Sequence, residues 1–247
     1  MAWEPPSTLE EKLKYALVPP GLYRSYRLWK ELRRGEAELH LVPFLVDRGR
    51  AALDVGANKG VWTAMLARYC PKVFALEPNP KPFKVLARCK PDNAEAWQIA
   101  ASNASGEAEL RIPLGRKGYS NQGGSLNAAK VGEHFGSVKV PAKRLDDCAL
   151  PPIGFIKIDV EGFEAEVLEG AAGLIRRDRP VLVIEMEEVH TRKPIETMVG
   201  EVIAMGYAAF ALRHGQLVAF SALDPEANHR RPASRGDYIF NFIFLPA

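Results

Sequence analysis

Four acidic residues, each at the end of a short apolar run, are the first candidates for chemistry: Asp54, Glu77, Asp159 and Glu185. The run that ends near Asp54 is followed by the turn Gly56–Gly60 (GANKG) and then by helical spacing. A strand, a glycine turn and a helix in this order predict a nucleotide-binding first βα turn. Glu77 follows about twenty residues later, where a carboxylate can accept hydrogen bonds from the ribose hydroxyls of a bound nucleoside.

The glycine turn differs from both common phosphate-binding patterns. Asn58 stands where the dinucleotide pattern G-x-G-x-x-G has its second glycine, and the sequence contains no G-x-x-x-x-G-K-[ST]. The acids at the strand ends would repel a phosphate, but they would attract a ligand with a positive sulfonium and a free ammonium group. S-adenosylmethionine carries both charges, so the pattern predicts it as the cofactor.

If S-adenosylmethionine gives its methyl group to a hydroxyl, the site needs a group that removes the acceptor's proton or orients its oxygen. Asp159 closes the fourth strand, and we expect it to be this general base or orienting group. Glu161, at the start of the next helix, and Glu185, at the end of the fifth strand, are further catalytic candidates. The helix macrodipole alone also favours an acid at the position of Glu161. Lys157 shares a strand face with Asp159, and a buried lysine is expected to pair with a neighbouring carboxylate.

Ligands for Mg²⁺ could come from Asp159, Glu185, Glu187 and His190. However, the sequence lacks the D…DN pattern of catechol-type methyltransferases, and the remaining histidines show no ligand spacing. We therefore expect catalysis without a metal and assign no residue as a metal ligand.

Short apolar runs alternate with helical spacing through most of the chain, which predicts a doubly wound, mostly parallel sheet covered by helices. Towards the C-terminus the strands follow one another without helices, which predicts an antiparallel hairpin at one edge. The predicted strands are 51–55, 72–77, 97–101, 155–159, 180–185, 207–213, 216–220 and 238–244; the predicted helices include 61–69, 83–89 and 163–175. Residues 115–136 lack periodicity and are predicted to form a binding loop that orders on the acceptor.

Length and composition restrict the class of protein. A chain of 247 residues fits one large domain with additions, and Lys+Arg 33 against Asp+Glu 30 argues against a dedicated nucleic-acid binder. The scattered Cys70, Cys89 and Cys148 are expected to be free thiols in a reducing compartment. No apolar run is long enough to span a bilayer, and the polar start lacks a secretory signal. We expect a cytoplasmic protein that at most contacts a membrane peripherally.

The first 48 residues are predicted to be accessory helices, followed by a cofactor-binding domain at 49–247. Leu22, Tyr26, Trp29 and Leu32 share one face of a helix, beside a basic flank that contains Arg33. Such a helix either packs on the core or meets an anionic lipid or glycolipid surface.

The segments LDVGANKG, ALEPNP, FIKIDVEGFEAEVLEGA and NFIFLP resemble the FkbM-type S-adenosylmethionine-dependent methyltransferases, from about Glu38 to the C-terminus. The resemblance implies the class I (Rossmann-like) α/β methyltransferase fold and O-methylation of a sugar, glycoconjugate or polyketide-like small molecule. It also implies a set of cofactor-binding positions, with the last two near the adenine: Asp54, Gly56, Asn58, Gly60, Glu77, Ala101 and Ser102.

Three other functions were weighed against this one. A metal-dependent methyltransferase of phenolic small molecules and a relative that binds S-adenosylmethionine without turnover both remain alternatives. A DNA or protein N-methyltransferase is disfavoured, because IDVEG stands after the fourth strand where such enzymes commonly carry D/N-P-P-Y/F. The balanced charge gives no face for duplex binding.

Overall fold

The structure is a computed structural model that describes residues 4–115, 118–119, 124–126 and 134–247. Two sheets are built from the strands of the described residues. These strands are β1 (Ala51–Val55), β2 (Val73–Leu76), β3 (Ala94–Trp97), β4 (Ala100–Ala101), β5 (Gly106–Gly115), β6 (Gly118–Tyr119), β7 (Phe135–Lys143), β8 (Ile153–Ile158), β9 (Val181–Glu185), β10 (Tyr207–Arg213), β11 (Gln216–Ala219) and β12 (Asn241–Pro246).

The larger sheet has eight strands in the order β11-β10-β12-β9-β8-β1-β2-β3. Strands β3, β2, β1, β8 and β9 are parallel, whereas β12 is antiparallel to both β9 and β10, and β11 is antiparallel to β10. This confirms the predicted doubly wound sheet with an antiparallel C-terminal hairpin. The chain leaves β1 towards β2 on one side and returns as β8 on the other, so a crevice is expected at the carboxyl ends of β1 and β8.

The α-helices are α1 (Leu9–Leu17), α2 (Pro20–Arg34), α3 (Val42–Leu45), α4 (Val61–Leu66), α5 (Pro80–Cys89), α6 (Glu164–Gly170), α7 (Ala172–Asp178), α8 (Glu188–Thr191) and α9 (Ile195–Ala204). The single helix predicted over 163–175 is instead two, α6 and α7. They meet at Gly170, where a Cβ atom would lie 1.9 Å from the carbonyl oxygen of Ser102. The close approach to the segment after β4 therefore requires a glycine at the break.

A second sheet, which the sequence analysis did not predict, has the order β4-β7-β5-β6. The prediction of a single strand over 97–101 was wrong. The segment is divided between two sheets, because β3 pairs with β2 and β4 pairs with β7. Strands β5 and β7 form a long antiparallel hairpin whose inner residues alternate with exposed ones. The predicted loop at 115–136 lies mostly outside the described residues; Tyr119, which lies within that range, belongs to β6.

The N-terminal helices pack against the outside of the larger sheet's helical layer. Tyr23 on α2 is buried against Val85 and Cys89 of α5. Arg24 donates hydrogen bonds to the carbonyl oxygens of Cys89 and Lys90, at 3.0 Å each, and so fixes the end of α5 to α2. None of the described helices is long and apolar enough to cross a membrane.

Candidate active site

A cleft of about 710 Å³, partly open to solvent, lies at the carboxyl ends of β1, β2 and β8. This is the edge where the chain order of the parallel strands reverses, and ligands bind there in open α/β sheets. The polar part of its wall comes from the three turns that follow these strands: Gly56, Asn58, Glu77, Asn79, Asp159 and Glu161. Five of these six residues were predicted as site residues.

The turn after β1 needs its glycines for steric reasons. Gly56 has φ +84°, and a Cβ atom there would lie 1.7 Å from the carbonyl oxygen of Asp159. Gly60 has φ +82° and begins α4, with Leu86 close behind it. Asn58 also has a positive φ, of 49°, which is uncommon for a residue with a side chain. The turn thus brings the ends of β1 and β8 together and presents Asn58 to the cleft.

Glu77 connects the turns after β1 and β2. The backbone N–H of Asn58 donates to its Oε2 at 2.7 Å, and the backbone N–H of Asn79 donates to its Oε1 at 2.8 Å. The side chain is buried, and burial raises the pKa of its carboxyl to about 8 against the effect of these hydrogen bonds. Each carboxylate oxygen retains a second acceptor site, so Glu77 can still accept hydrogen bonds from a ligand.

Asp54, another predicted cofactor residue, lies beneath the turn rather than in the cleft wall. Its Oδ2 accepts a hydrogen bond of 2.5 Å from Thr63 Oγ1 on α4. Burial raises the pKa of the Asp54 carboxyl to about 6. The contact with Thr63 holds α4 to the end of β1, so Asp54 positions the turn.

One side of the cleft is apolar and is formed by Ile99, Ala101, Leu110, Leu126 and Phe163. Ala101 was predicted for this position, but the second sheet and the segment around residue 126 had no signal in the sequence analysis. The second sheet contributes to the cleft wall only because β5 pairs with β7, which is distant from it in the sequence.

Ser102, the other residue predicted near the adenine, does not line the cleft. It is buried, and its backbone N–H donates to the carbonyl oxygen of Lys143. Its own carbonyl oxygen packs against Gly170. Ser102 therefore joins the second sheet to α6.

Asp159 and Glu161 form the acidic side of the cleft. The backbone N–H of Asp159 donates to the carbonyl oxygen of Val55 at 2.9 Å, which ties it to the end of β1. Glu161 has φ +60°, and its carbonyl oxygen accepts a 2.8 Å hydrogen bond from Ser125 Oγ. A left-handed conformation at a residue with a side chain costs about 1–3 kcal/mol and is concentrated at functional sites.

His190 lies between two carboxylates at the edge of this acidic side. Its Nδ1 is 3.7 Å from Glu161 Oε2, and its Nε2 is 3.4 Å from Glu187 Oε2. Glu187 and His190 were predicted from the sequence as possible metal ligands, whereas here they contact each other beside Glu161. Among the residues that the structure describes, no group of three or more histidine, cysteine, aspartate and glutamate side chains has an arrangement for holding a metal ion.

The family comparison covers most of this architecture. A family model described as the methyltransferase FkbM domain matches residues 54–214. The chain belongs to this family of S-adenosylmethionine-dependent methyltransferases. A search of curated proteins found none that matches the chain.

A solved FkbM structure shares the fold of this chain at low sequence identity. An FkbM methyltransferase from Methylobacillus flagellatus KT aligns with a TM-score of 0.51 and 15% identity, over 92% of this chain and 55% of that one. This chain therefore spans about half the length of that protein. A TehB-like SAM-dependent methyltransferase from Corynebacterium glutamicum ATCC 13032 Kitasato aligns with a TM-score of 0.49 and 15% identity, over 91% and 97% of the two chains.

Lys157 and Glu185 lie within the matched FkbM region, although neither lines the cleft. Burial raises the pKa of the Glu185 carboxyl to about 8, and nearby Asp159 adds to this shift. Lys157 Nζ donates to Asn241 Oδ1 at 2.8 Å and lies 3.7 Å from Glu36 Oε2. The predicted pairing of Lys157 with a carboxylate is thus present, with a partner from outside the FkbM match.

Proposed function

We propose that this FkbM-family protein transfers a methyl group from S-adenosylmethionine to a hydroxyl oxygen of a sugar, a glycoconjugate or a polyketide-like small molecule. The observation that carries the proposal is the division of one cleft into an apolar wall, a central carboxylate at Glu77 and an acidic end at Asp159 and Glu161. These three parts match an adenine ring, a ribose and a positively charged sulfonium in that order.

The residues that would hold the cofactor follow from this division. Ile99, Ala101 and Phe163 offer an apolar surface to the adenine, and the free acceptor sites of Glu77 suit the two ribose hydroxyls. Asn58 and Gly56 line the same cleft as Glu77 and the apolar residues. When bound, S-adenosylmethionine supplies an electrophilic methyl group on a positive sulfur.

Within the proposal, Asp159 is the general base. It lies at the end of β8, on the acidic side of the cleft, and can accept the proton of the acceptor hydroxyl. Glu161 lines the same side and contacts His190, so it is the second candidate for proton transfer. Glu185 lies behind Asp159, where its raised pKa keeps it largely protonated at neutral pH and limits repulsion between the two acids.

A screen with tritiated S-adenosylmethionine tests the proposed function. The acceptors are free glycans, lipid-linked sugars, polyketide-like hydroxy compounds and small phenolic compounds, each with and without EDTA. We expect label on a hydroxyl of a glycan or polyketide-like acceptor, in a base-stable ether, with no loss of rate in EDTA. Transfer to phenolic acceptors that stops in EDTA would instead support a metal-dependent phenolic methyltransferase. Tight cofactor binding without transfer to any hydroxyl would support the binding-only alternative.

A further inference from the structure

Helix α1 exposes an apolar stripe to solvent. The stripe consists of Leu9, Leu13 and Leu17, and each of these side chains is more than half exposed. They recur every four residues and so share one face of the helix. The opposite face holds Tyr15, which together with Val18, just after the helix, packs against a small buried cluster of the protein. Helix α1 is therefore attached by one face while its second apolar face has no cover among the described residues.

Helix α2 repeats this arrangement with aromatic residues. Leu22, Tyr26 and Trp29 share one face and are each more than half exposed, while Tyr23 lies on the buried side. The rings of Tyr26 and Trp29 stack at a centroid distance of 6.2 Å, and the guanidinium of Arg33 lies 4.7 Å from the Trp29 ring centre. Aromatic rings combined with basic side chains are typical of the boundary between a bilayer and water.

The charge of α2 favours an anionic partner. The helix has one acidic residue, Glu31, and five basic ones: Arg24, Arg27, Lys30, Arg33 and Arg34. The whole chain has a formal net charge of only +3, so the positive charge is concentrated on this helix. Lys30, Arg33 and Arg34 are exposed, beside the aromatic stripe. An exposed apolar stripe with a basic flank is the pattern of a helix that lies in the surface of an anionic bilayer.

We propose that α1 and α2 form a docking surface for an anionic phospholipid bilayer. The leucine and aromatic stripes enter the headgroup region, and Lys30, Arg33 and Arg34 contact the anionic headgroups. A second copy of the chain fits this surface less well, because a two-fold contact would bring the same basic helix against itself. The proposal does not depend on the methyl-transfer reaction, and its test needs no acceptor.

Vesicle co-sedimentation tests this surface with the whole 247-residue chain. Wild-type protein is mixed with phosphatidylcholine vesicles that either contain or lack phosphatidylglycerol, at low and at high salt. We expect binding only to the anionic vesicles, and release at high salt. The triple variant Lys30→Glu/Arg33→Glu/Arg34→Glu should bind about 100-fold more weakly or worse, since each basic residue near an anionic surface contributes about fivefold.

A second pair of variants separates the apolar contribution from charge. Tyr26→Ser/Trp29→Ser should weaken vesicle binding about tenfold or more without changing the melting temperature, because both side chains are exposed. The matched control Ile203→Ser/Leu217→Ser alters exposed apolar residues on α9 and β11 and should bind like the wild type. Lys139→Glu/Arg231→Glu is the control for charge reversal, since these side chains are 76% and 85% exposed.

Three results would overturn the proposal. The first is equal binding to neutral and anionic vesicles, and the second is unchanged binding of the stripe and charge variants. The third is a wild-type dimer, measured by light scattering, that becomes a monomer in the Tyr26→Ser/Trp29→Ser variant, while neither the wild type nor the variant binds vesicles. That last result would assign the surface to a second copy of the chain.

Discussion

Lys157 and Asp159 lie at the end of the same strand, yet their surroundings differ in kind. Lys157 is completely buried, and its ammonium group has three favourable partners. It donates a hydrogen bond to Asn241, lies near the Glu36 carboxylate and lies 5.3 Å from the centre of the Trp62 ring. Burial alone would lower its pKa, but the surrounding carboxylates, Glu36 first, outweigh this and raise it. The Lys157 cluster (Lys157, Glu36, Asn241 and Trp62) thus neutralises a charge inside the protein.

Around Asp159, in contrast, acids outnumber the one nearby cation: Lys157 lowers the pKa values of Asp54 and Glu185, but both remain raised. Burial raises the pKa values of Asp54, Glu77 and Glu185 above their ordinary ones, and the charge of Asp159 contributes to each shift. We call these four residues the carboxylate edge. The comparison indicates that the Lys157 cluster serves folding, because it joins Glu36, which lies outside the sheet, to Lys157 of β8 and Asn241 of β12. The carboxylate edge costs folding energy and is retained, in our account, for a positively charged ligand.

The largest expected effect is on turnover. Asp159→Asn keeps the shape of the side chain but removes its basicity, so kcat should fall by about 10²–10⁴. The variant should melt no lower than the wild type, and its affinity for the cationic cofactor should fall by a much smaller factor than kcat. Steady-state kinetics, thermal melts and calorimetric titration measure the three quantities. A variant that melts several degrees lower but retains its activity would place Asp159 with the structural residues and move the base to Glu161.

Breaking the Lys157 cluster should mainly affect stability. Lys157→Met leaves the Glu36 carboxylate without its buried cation and should lower the free energy of unfolding by about 3–5 kcal/mol. Lys72→Met is the matched control, because Lys72 pairs with Glu95 at the surface and should lose about 1 kcal/mol or less. Urea unfolding measures both. Equal losses in the two variants would show that the cluster has no special structural role.

Removing an acid from the carboxylate edge should raise the free energy of unfolding, whereas breaking the Lys157 cluster should lower it. Between its ordinary pKa and the raised value of about 8, the folded protein keeps a proton on Glu185 that the unfolded chain has released. The free energy of unfolding therefore falls as pH rises through this interval. Glu185→Gln should be more stable than the wild type by an amount on the order of 4 kcal/mol at pH 9, and by about 1 kcal/mol or less near pH 5.

Urea unfolding at several pH values checks this, and Glu201→Gln is the control, since Glu201 is exposed and pairs with Lys193. If Glu185→Gln were less stable than the wild type at every pH, Glu185 would belong with the paired charges.

A smaller effect is expected in the pH dependence of nucleoside binding. Glu77 must be ionised to accept both ribose hydroxyls, and its pKa is raised to about 8. Affinity for 5′-methylthioadenosine, which lacks the titrating ammonium group of S-adenosylmethionine, should rise about tenfold between pH 7 and pH 9. Calorimetry measures this rise. Its absence in the wild type would mean that Glu77 does not hold the ribose as a carboxylate.

Much of the carboxylate edge was predictable because its signals are local. The apolar run before Asp54, the GANKG turn and the acid at the end of β2 all lie within short segments whose patterning specifies strand, turn and helix. The same reasoning identified the main sheet and its antiparallel hairpin, since each strand is a distinct apolar run.

Other features depend on pairing between distant segments. The second sheet forms because β5 pairs with β7, which follows it after a long connection. The alternation of buried and exposed residues around Leu110 and Ile112 is too short to predict this pairing from the sequence. The contact of His190 with Glu161 arises from a left-handed backbone that one sequence does not reveal. Lys157 required a partner, but nothing local pointed to Glu36.

The central claim is that the carboxylate edge exists to bind the cofactor, and calorimetric titration of Glu77→Ala with S-adenosylmethionine tests it most directly. Glu95→Ala, which removes a surface acid at the neighbouring strand β3, is the matched control. We expect Glu77→Ala to bind about 30- to 1000-fold more weakly, because a partly buried carboxylate–hydroxyl contact contributes about 2–4 kcal/mol, while Glu95→Ala binds like the wild type. Unchanged affinity in a folded Glu77→Ala variant would contradict the account.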